Sequence, residues 1–259
     1  MKIAILTTEA SHHFYYTNRI LSDFPEWDFK VIVEEEIDFS SLKKAREKFG
    51  KLWEKRDLKG LIYYFPYFRV DPFKRKQRDF EKSFLPDSEK FSILPEKVEN
   101  HNSAASLVNQ FGPDLVIVFG ARPLNKNFLK QISFPIVNHH GAILPYMRGL
   151  DSDAWLCFYR KFEYLGCSIH FVTPELDQGG IIATKGLELK KDIRFWMLRG
   201  YKAIAHADLA IGVLKNFEES VGKATVNNVS LGIYRSYAPW HVFYSAERNL
   251  RSYLERGVR

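Results

Sequence analysis

Short apolar runs alternate with longer amphipathic segments along the chain, which is the pattern of an α/β protein. Candidate strands lie at residues 2–7, 28–33 and 114–119. The last of these runs is continuously apolar, as expected for a strand covered on both faces of a parallel sheet. A helix before it should end at Gly112, since proline follows at position 113. We therefore predict a mostly parallel sheet flanked by helices.

The same pattern predicts how the chain divides. Residues 1–220 are expected to form the main domain, with a helical insertion over about residues 38–90 that contains two amphipathic stretches. Residues 221–259 are expected to be a short C-terminal extension. Turn residues Asn227 and Asn228 predict a hairpin within it.

Polar, titratable residues follow the short apolar run at residues 134–137. Successive side chains on a strand point to opposite faces, so Asn138 and His140 should share one face and His139 should face the other way. Polar groups just beyond a strand end are where open α/β sheets place their ligands.

Asp177 is expected at the rim of a neighbouring strand, predicted over residues 166–173. An amide, an imidazole and a carboxylate that converge there could perform acyl transfer. Asn138 could donate to an oxyanion, His140 could move a proton, and Asp177 could fix its tautomer and raise its pKa. The alternative is structural, with Asn138 capping a turn and His140 buried in the core.

Composition adds few constraints. The 259 residues carry a net charge of +7, which suits nucleic acid, an anionic membrane surface, or small molecules with phosphates and carboxylates; a solvated basic surface explains it equally well. The two cysteines, Cys157 and Cys167, have no zinc or disulfide spacing. The N-terminus does not resemble a signal peptide and no run of about 18 apolar residues exists, so a cytoplasmic protein with no membrane partner is expected.

The first predicted strand-to-helix turn, residues 8–11, contains no glycine, which excludes a dinucleotide-binding fingerprint. A phosphate or nucleotide could still lie at the N-terminus of the following helix, which makes Ser11 and His12 candidates for substrate binding. The aromatic cluster at residues 12–16 could stack on a base, or part of it could belong to the core.

Three motifs in order resemble the folate-dependent formyltransferase family. Residues 138–149 read N-x-H-G-x-x-L-P-x-x-R-G, and residues 166–182 read G-x-S-I-H-F-V-T-x-E-L-D-x-G-x-I-I. Residues 112–124 resemble the strand and folate loop of the same family. The resemblance extends over roughly residues 92–218, and it departs from the family pattern at His139 and Gly141.

This resemblance implies a Rossmann-like formyltransferase fold, with Asn138, His140 and Asp177 as catalytic residues and no metal. The formyl donor would be N10-formyltetrahydrofolate. The positions that correspond to its binding loops, mainly through their backbone, are Ala121, Arg122, Leu124, Val172, Thr173 and Leu176. Arg148 could offset the charge of a diphosphate or of the folate carboxylates.

Within the family, the tail length and the missing glycine loop resemble sugar N-formyltransferases. These act on nucleotide-linked 4-amino-4,6-dideoxysugars for O-antigen and lipopolysaccharide biosynthesis, and GDP-perosamine is one such substrate. Methionyl-tRNA formyltransferase, consistent with the charge of +7, and glycinamide ribonucleotide formyltransferase are the alternatives within the family. A non-catalytic folate or nucleotide binding module is the alternative of another class. Nucleic acid is not the favoured partner, and a homodimer is one option for assembly.

Overall fold

A seven-stranded sheet forms the centre of the molecule. The computed structural model describes residues 1–34, 50–51, 53–56 and 72–257. The strands are β1 (Lys2–Thr7), β2 (Asp28–Glu34), β3 (Glu96–Val98), β4 (Leu115–Val118), β5 (Ile136–His140), β6 (Met147–Gly149), β7 (Gly166–Phe171), β8 (Ile181–Gly186) and β9 (Ile233–Arg235). The sheet order is β3-β2-β1-β4-β5-β7-β8. The first five strands in this order are parallel, and β7 runs antiparallel to both β5 and β8.

Helices cover both faces of this sheet. They are α1 (Ser11–Asp23), α2 (Lys74–Phe84), α3 (His101–Phe111), α4 (Lys126–Gln131), α5 (Ser152–Phe158), α6 (Leu198–Lys215), α7 (Phe217–Gly222) and α8 (Trp240–Glu255). Gly112 ends α3 with a left-handed φ of 62°, a conformation that glycine adopts without the steric cost of a side chain. The predicted end of this helix is therefore confirmed.

Alternate residues of the central strands face separate apolar cores. Ile3 and Ile5 of β1 pack with α1 and α6, whereas Ala4 and Leu6 pack with α3 and α4. This arrangement confirms that the strands are covered on both sides. The predicted α/β fold with a mostly parallel sheet is confirmed as well. The short strand β3 was not among the predicted strands, because three residues are too few to show a periodicity.

The tail differs from the prediction. No hairpin is found around Asn227 and Asn228 in the part of the chain that the structure describes; a single turn of 3-10 helix begins at Val229 instead. The tail then continues as β9, which pairs in parallel with β6, and ends in α8, which packs on α5. The asparagines were predicted to form the turn of a hairpin, but the strand that follows them, β9, pairs with β6, which lies far away in the sequence.

Most of the predicted insertion at residues 38–90 lies outside the described residues, apart from α2 and the loop after it. The basic run that begins at Lys74 is exposed on the surface of α2. Among the described helices, none is long and apolar enough to cross a membrane. Cys157 and Cys167 are buried and unpaired.

Candidate active site

Strand β5 carries the candidate residues at its carboxyl end. Parallel neighbour β4 and antiparallel neighbour β7 fix its register, with Asn138 opposite Val118 on one side and His170 on the other. The side chain of Asn138 lies close to that of His170, whereas the next residue, His139, contacts α1 and α6. The alternation predicted from the sequence therefore matches the structure.

Asn138 is held by His170. Its Nδ2 lies 3.1 Å from Nε2 of His170, and Nδ1 of His170 lies 2.8 Å from the backbone oxygen of Phe171. Because a carbonyl oxygen only accepts, Nδ1 of His170 must donate, and in the neutral ring Nε2 then accepts from the amide. One N–H of the Asn138 amide is used in this contact, and the other remains available for a ligand.

His140 is buried and its ring is fixed by the backbone. Its Nε2 donates to the oxygen of Met147 at 2.8 Å, and its Nδ1 lies 3.6 Å from Oδ2 of Asp177. Burial lowers the pKa of His140 below its ordinary value, although the Asp177 carboxylate opposes this effect. Asp177 therefore raises the pKa of His140 as expected, but desolvation is larger and the net pKa is lowered. The expectation that Asp177 fixes the tautomer is corrected, because the hydrogen bond to Met147 selects it.

Asp177 lies between the two imidazoles. Its Oδ1 is 3.6 Å from Nε2 of His170, and its Oδ2 accepts a hydrogen bond from the backbone nitrogen of Gly149 at 2.9 Å. Burial pushes the pKa of Asp177 upward, but contacts with His170, the charge of His140 and the Gly149 amide together hold the pKa below its ordinary value. The carboxylate is therefore ionised at neutral pH.

Asn138, His140 and Asp177 border a cavity of about 390 Å³ that opens between the ends of β4, β5 and β7. All nine residues predicted for catalysis and folate binding line it: Asn138, His140, Asp177, Ala121, Arg122, Leu124, Val172, Thr173 and Leu176. A cavity of this volume accommodates part of a cofactor-sized molecule. The structure thus brings together the two loops that the family motifs predicted separately.

The Arg122 side chain is engaged with protein groups. Its Nε donates to Oε2 of buried Glu34 at 3.1 Å, and the Arg122 backbone nitrogen donates to the same oxygen at 3.2 Å. Oε1 of Glu34 lies 2.9 Å from Nε2 of His101. This cluster fixes the loop after β4, whose residues 120–124 line the cavity.

The three residues predicted for substrate binding lie elsewhere. Ser11, His12 and Arg148 are not among the residues that line the cavity. Nδ1 of His12 lies 3.1 Å from Oε2 of Glu81. Burial lowers the pKa of His12 well below the ordinary value. In the aromatic cluster at residues 12–16, Tyr16 is fully buried in the core, whereas His12 is partly exposed.

Lys202 is a residue that the sequence analysis missed. Its Nζ donates to the backbone oxygen of Gly141 at 2.8 Å and lies 2.6 Å from Oδ2 of Asp153. A Cβ at Gly141 would lie 2.9 Å from this Nζ, so a larger residue there would require the Lys202 side chain to shift. Lysine on the buried side of an otherwise apolar helix was the available signal.

Asp151 links the start of α5 to the tail. It occupies the N-cap position of α5, but its side chain makes no capping hydrogen bond and instead accepts from the backbone nitrogen of Ala238 at 2.7 Å. Its backbone is left-handed, with a φ of 49°. Ser152, the first residue of α5, donates to the oxygen of Gly141 at 2.9 Å.

Comparison with known proteins finds similarity to formyltransferases over part of the chain. Residues 72–194 match the model of the formyl transferase family. A methionyl-tRNA formyltransferase from Anaeromyxobacter dehalogenans is 34% identical over 101 residues, which cover 39% of this chain and 32% of that protein. The chain thus spans about a third of the length of this curated relative.

Solved formyltransferase-like structures share the fold. A sugar N-formyltransferase from Shewanella superimposes with a TM-score of 0.57 at 10% identity, covering 96% of this chain and 87% of that one. HypX from Aquifex aeolicus, solved with tetrahydrofolic acid, gives a TM-score of 0.59 at 12% identity and covers 96% of this chain and 34% of that one. The Rossmann-like formyltransferase fold is therefore confirmed, and residues 72–194 carry the formyl transferase match.

Proposed function

We propose that the protein transfers a formyl group from N10-formyltetrahydrofolate to the amino group of a nucleotide-linked 4-amino-4,6-dideoxysugar, of which GDP-perosamine is one example. The observation that carries this proposal is the meeting of Asn138, His140 and Asp177 at a cavity whose wall is formed by residues 120–124 and 172–177. The family match over residues 72–194 and the tetrahydrofolic acid complex of HypX support folate as the donor.

The chemistry follows from the protonation states. The amine nitrogen attacks the formyl carbon, the bond from that carbon to N10 breaks, and the proton lost by the amine is transferred to N10 of the folate. The free N–H of Asn138 would donate to the oxyanion of the tetrahedral intermediate. Neutral His140 would accept the proton, and ionised Asp177 would stabilise the resulting imidazolium.

A sugar as acceptor is supported by the Shewanella sugar N-formyltransferase, whose match covers most of both chains. Methionyl-tRNA is the second candidate acceptor, because the curated relatives that match in sequence are mostly methionyl-tRNA formyltransferases and because the net charge is +7. Binding of tRNA through phosphate contacts would weaken steeply as salt is raised.

The test is a formyl transfer assay with N10-formyltetrahydrofolate and a panel of acceptors: GDP- and dTDP-linked 4-amino sugars, glycinamide ribonucleotide and methionyl-tRNA. We expect turnover with one of the sugar nucleotides and loss of turnover in Asn138→Ala. Turnover with methionyl-tRNA alone would show that the acceptor is methionyl-tRNA rather than a sugar nucleotide. Absence of product with every acceptor in a single-turnover experiment, with folate still bound, would instead indicate a non-catalytic folate-binding module.

A further inference from the structure

The loop that carries Asp177 is tied to the C-terminal tail. Nδ2 of Asn227 donates two hydrogen bonds, one to the backbone oxygen of Asp177 at 3.0 Å and one to that of Gly179 at 3.1 Å. The Asn227 side chain is buried, at 8% exposure. Two residues earlier, the backbone of Thr225 pairs in both directions with Ile181, at 2.8 and 2.9 Å. The tail therefore contacts this loop through both side chain and backbone.

The same tail supports the group that binds the Asp177 carboxylate. Strand β9 lies beside β6, and the amide of Gly149 at the end of β6 donates to Oδ2 of Asp177. The two strands are so close that a Cβ at Gly149 would lie 1.9 Å from the oxygen of Arg235. Both the backbone of Asp177 and the partner of its carboxylate are thus positioned by residues 225–235.

The backbone of Asp177 needs this support. Its φ is 52°, a left-handed conformation that costs a non-glycine residue free energy and persists where the surroundings hold it. Among the described residues, Asn227 is the one whose side chain donates to the backbone oxygen of Asp177. An amide suits this task, because its NH2 group can donate to two carbonyl oxygens at once.

We propose that Asn227 is a positioning residue that holds Asp177 in the geometry required for proton transfer, so that the tail completes an active site whose other residues lie in the formyltransferase-like core. The proposal rests on the function proposed above. Asn227 does not line the cavity, so it acts through Asp177 rather than on the substrate.

The variants for testing it are Asn227→Ala and Asn227→Asp, with Asn228→Ala as the matched control. The aspartate keeps the size of the side chain but replaces the NH2 group, which makes both hydrogen bonds, by an oxygen that cannot donate to the carbonyl groups. Asn228 is the adjacent asparagine, and its Oδ1 accepts from the nitrogen and the hydroxyl of Ser230, away from Asp177. Loss of its side chain therefore disturbs the same turn without changing the contacts of Asp177.

We expect kcat to fall about 10- to 100-fold in both Asn227 variants, because a shift of about 1 Å in a catalytic group has an effect of this size. The KM for the folate donor should change little, and Asn228→Ala should behave like the wild type. In an Asp177→Asn background, Asn227→Ala should cause almost no further loss, since residues that act as a unit are not additive. A purely structural Asn227 would instead give multiplicative losses.

Hydrogen exchange of the Gly149 amide gives a readout that needs no activity. This amide donates to the Asp177 carboxylate, so its exchange should be faster in Asn227→Ala and Asn227→Asp and unchanged in Asn228→Ala. Unchanged Gly149 exchange together with multiplicative kinetic losses would overturn the proposal. If no acceptor is formylated but Gly149 exchange still follows Asn227, the proposed function is wrong and the positioning role remains. If Asn227→Ala does not fold, Asn227→Asp provides both measurements.

Discussion

The two faces of strand β5 place adjacent histidines in different surroundings. On one face, His140 lies against Asp177 and the cavity. On the other, Nε2 of His139 lies 2.8 Å from the hydroxyl of Tyr16, and its Nδ1 lies 3.2 Å from Nδ1 of His206. Both rings are buried and both have lowered pKa values. Burial alone therefore does not distinguish a candidate catalytic histidine from a structural one.

The two histidines differ in whether a carboxylate lies nearby. The pKa of His139 is lowered to about 3 by burial and by the nearby His170, with no carboxylate to oppose the effect. The pKa of His140 is lowered as well, but Asp177 offsets part of the burial. Only His140 can therefore gain a proton at moderate cost, as a group that shuttles protons must.

Replacing each histidine by alanine should show most clearly that the two faces of β5 have different roles. His140→Ala should lower kcat by about 10²- to 10⁴-fold, the usual contribution of a general acid or base. His139→Ala should keep most of the turnover of the folded protein but should be less stable by about 2–4 kcal/mol, because it leaves a cavity and removes the partner of Tyr16 and His206. Steady-state kinetics and urea unfolding of both variants measure these two effects.

The more conservative His139→Gln serves as the control for folding, since an amide can still bond to both neighbours. Loss of turnover in His139→Gln, together with an active His140→Ala, would mean that the two faces are assigned the wrong way round.

The amide should have the next largest effect. Asn138→Ala removes the N–H that is free to meet the oxyanion, so kcat should fall by about 10²- to 10³-fold with little change in donor affinity. His170→Ala, which keeps the amide but removes its partner and one neighbour of Asp177, should have a smaller effect on kcat. Equal losses in the two variants would show that orientation of the amide, rather than its presence, limits the rate.

Short-range periodicity was sufficient to place Asn138, His139 and His140 on their faces, because alternation along a strand is a local property. Family motifs pointed to residues 120–124 and to Asp177, which follow β4 and β7 on either side of β5. Lys202 and Asn227 were missed because each acts over a long sequence distance, on Gly141 and on Asp177 respectively. For Lys202, its place on the buried side of α6 was the one local signal, and nothing local distinguishes Asn227 from an ordinary turn asparagine.

The pKa of His140 shows a second limit of sequence reasoning. The neighbouring carboxylate was predictable, and it does raise the pKa of His140, but the opposing effect of burial is larger. The size of desolvation depends on how completely α1, α5 and α6 cover the strand end, which no local pattern specifies. The predicted hairpin was wrong for a related reason, since β9 pairs with β6, which lies far away in the sequence.

The smallest expected effect is the dependence of stability on pH. His139 has a pKa of about 3 in the folded protein and about 6.5 when unfolded, so between these values the unfolded chain binds more protons. The contribution of neutral His139 to stability is therefore complete above pH 6.5 and is lost as the pH falls toward 3. Its slope is at most about 1.4 kcal/mol per pH unit. His139→Gln should flatten the stability profile between pH 6 and 4, as measured by urea unfolding at several pH values. His140→Gln should flatten it less, because Asp177 keeps the pKa of His140 closer to its ordinary value. An equal change in both variants would show that the carboxylate does not distinguish the two faces of β5.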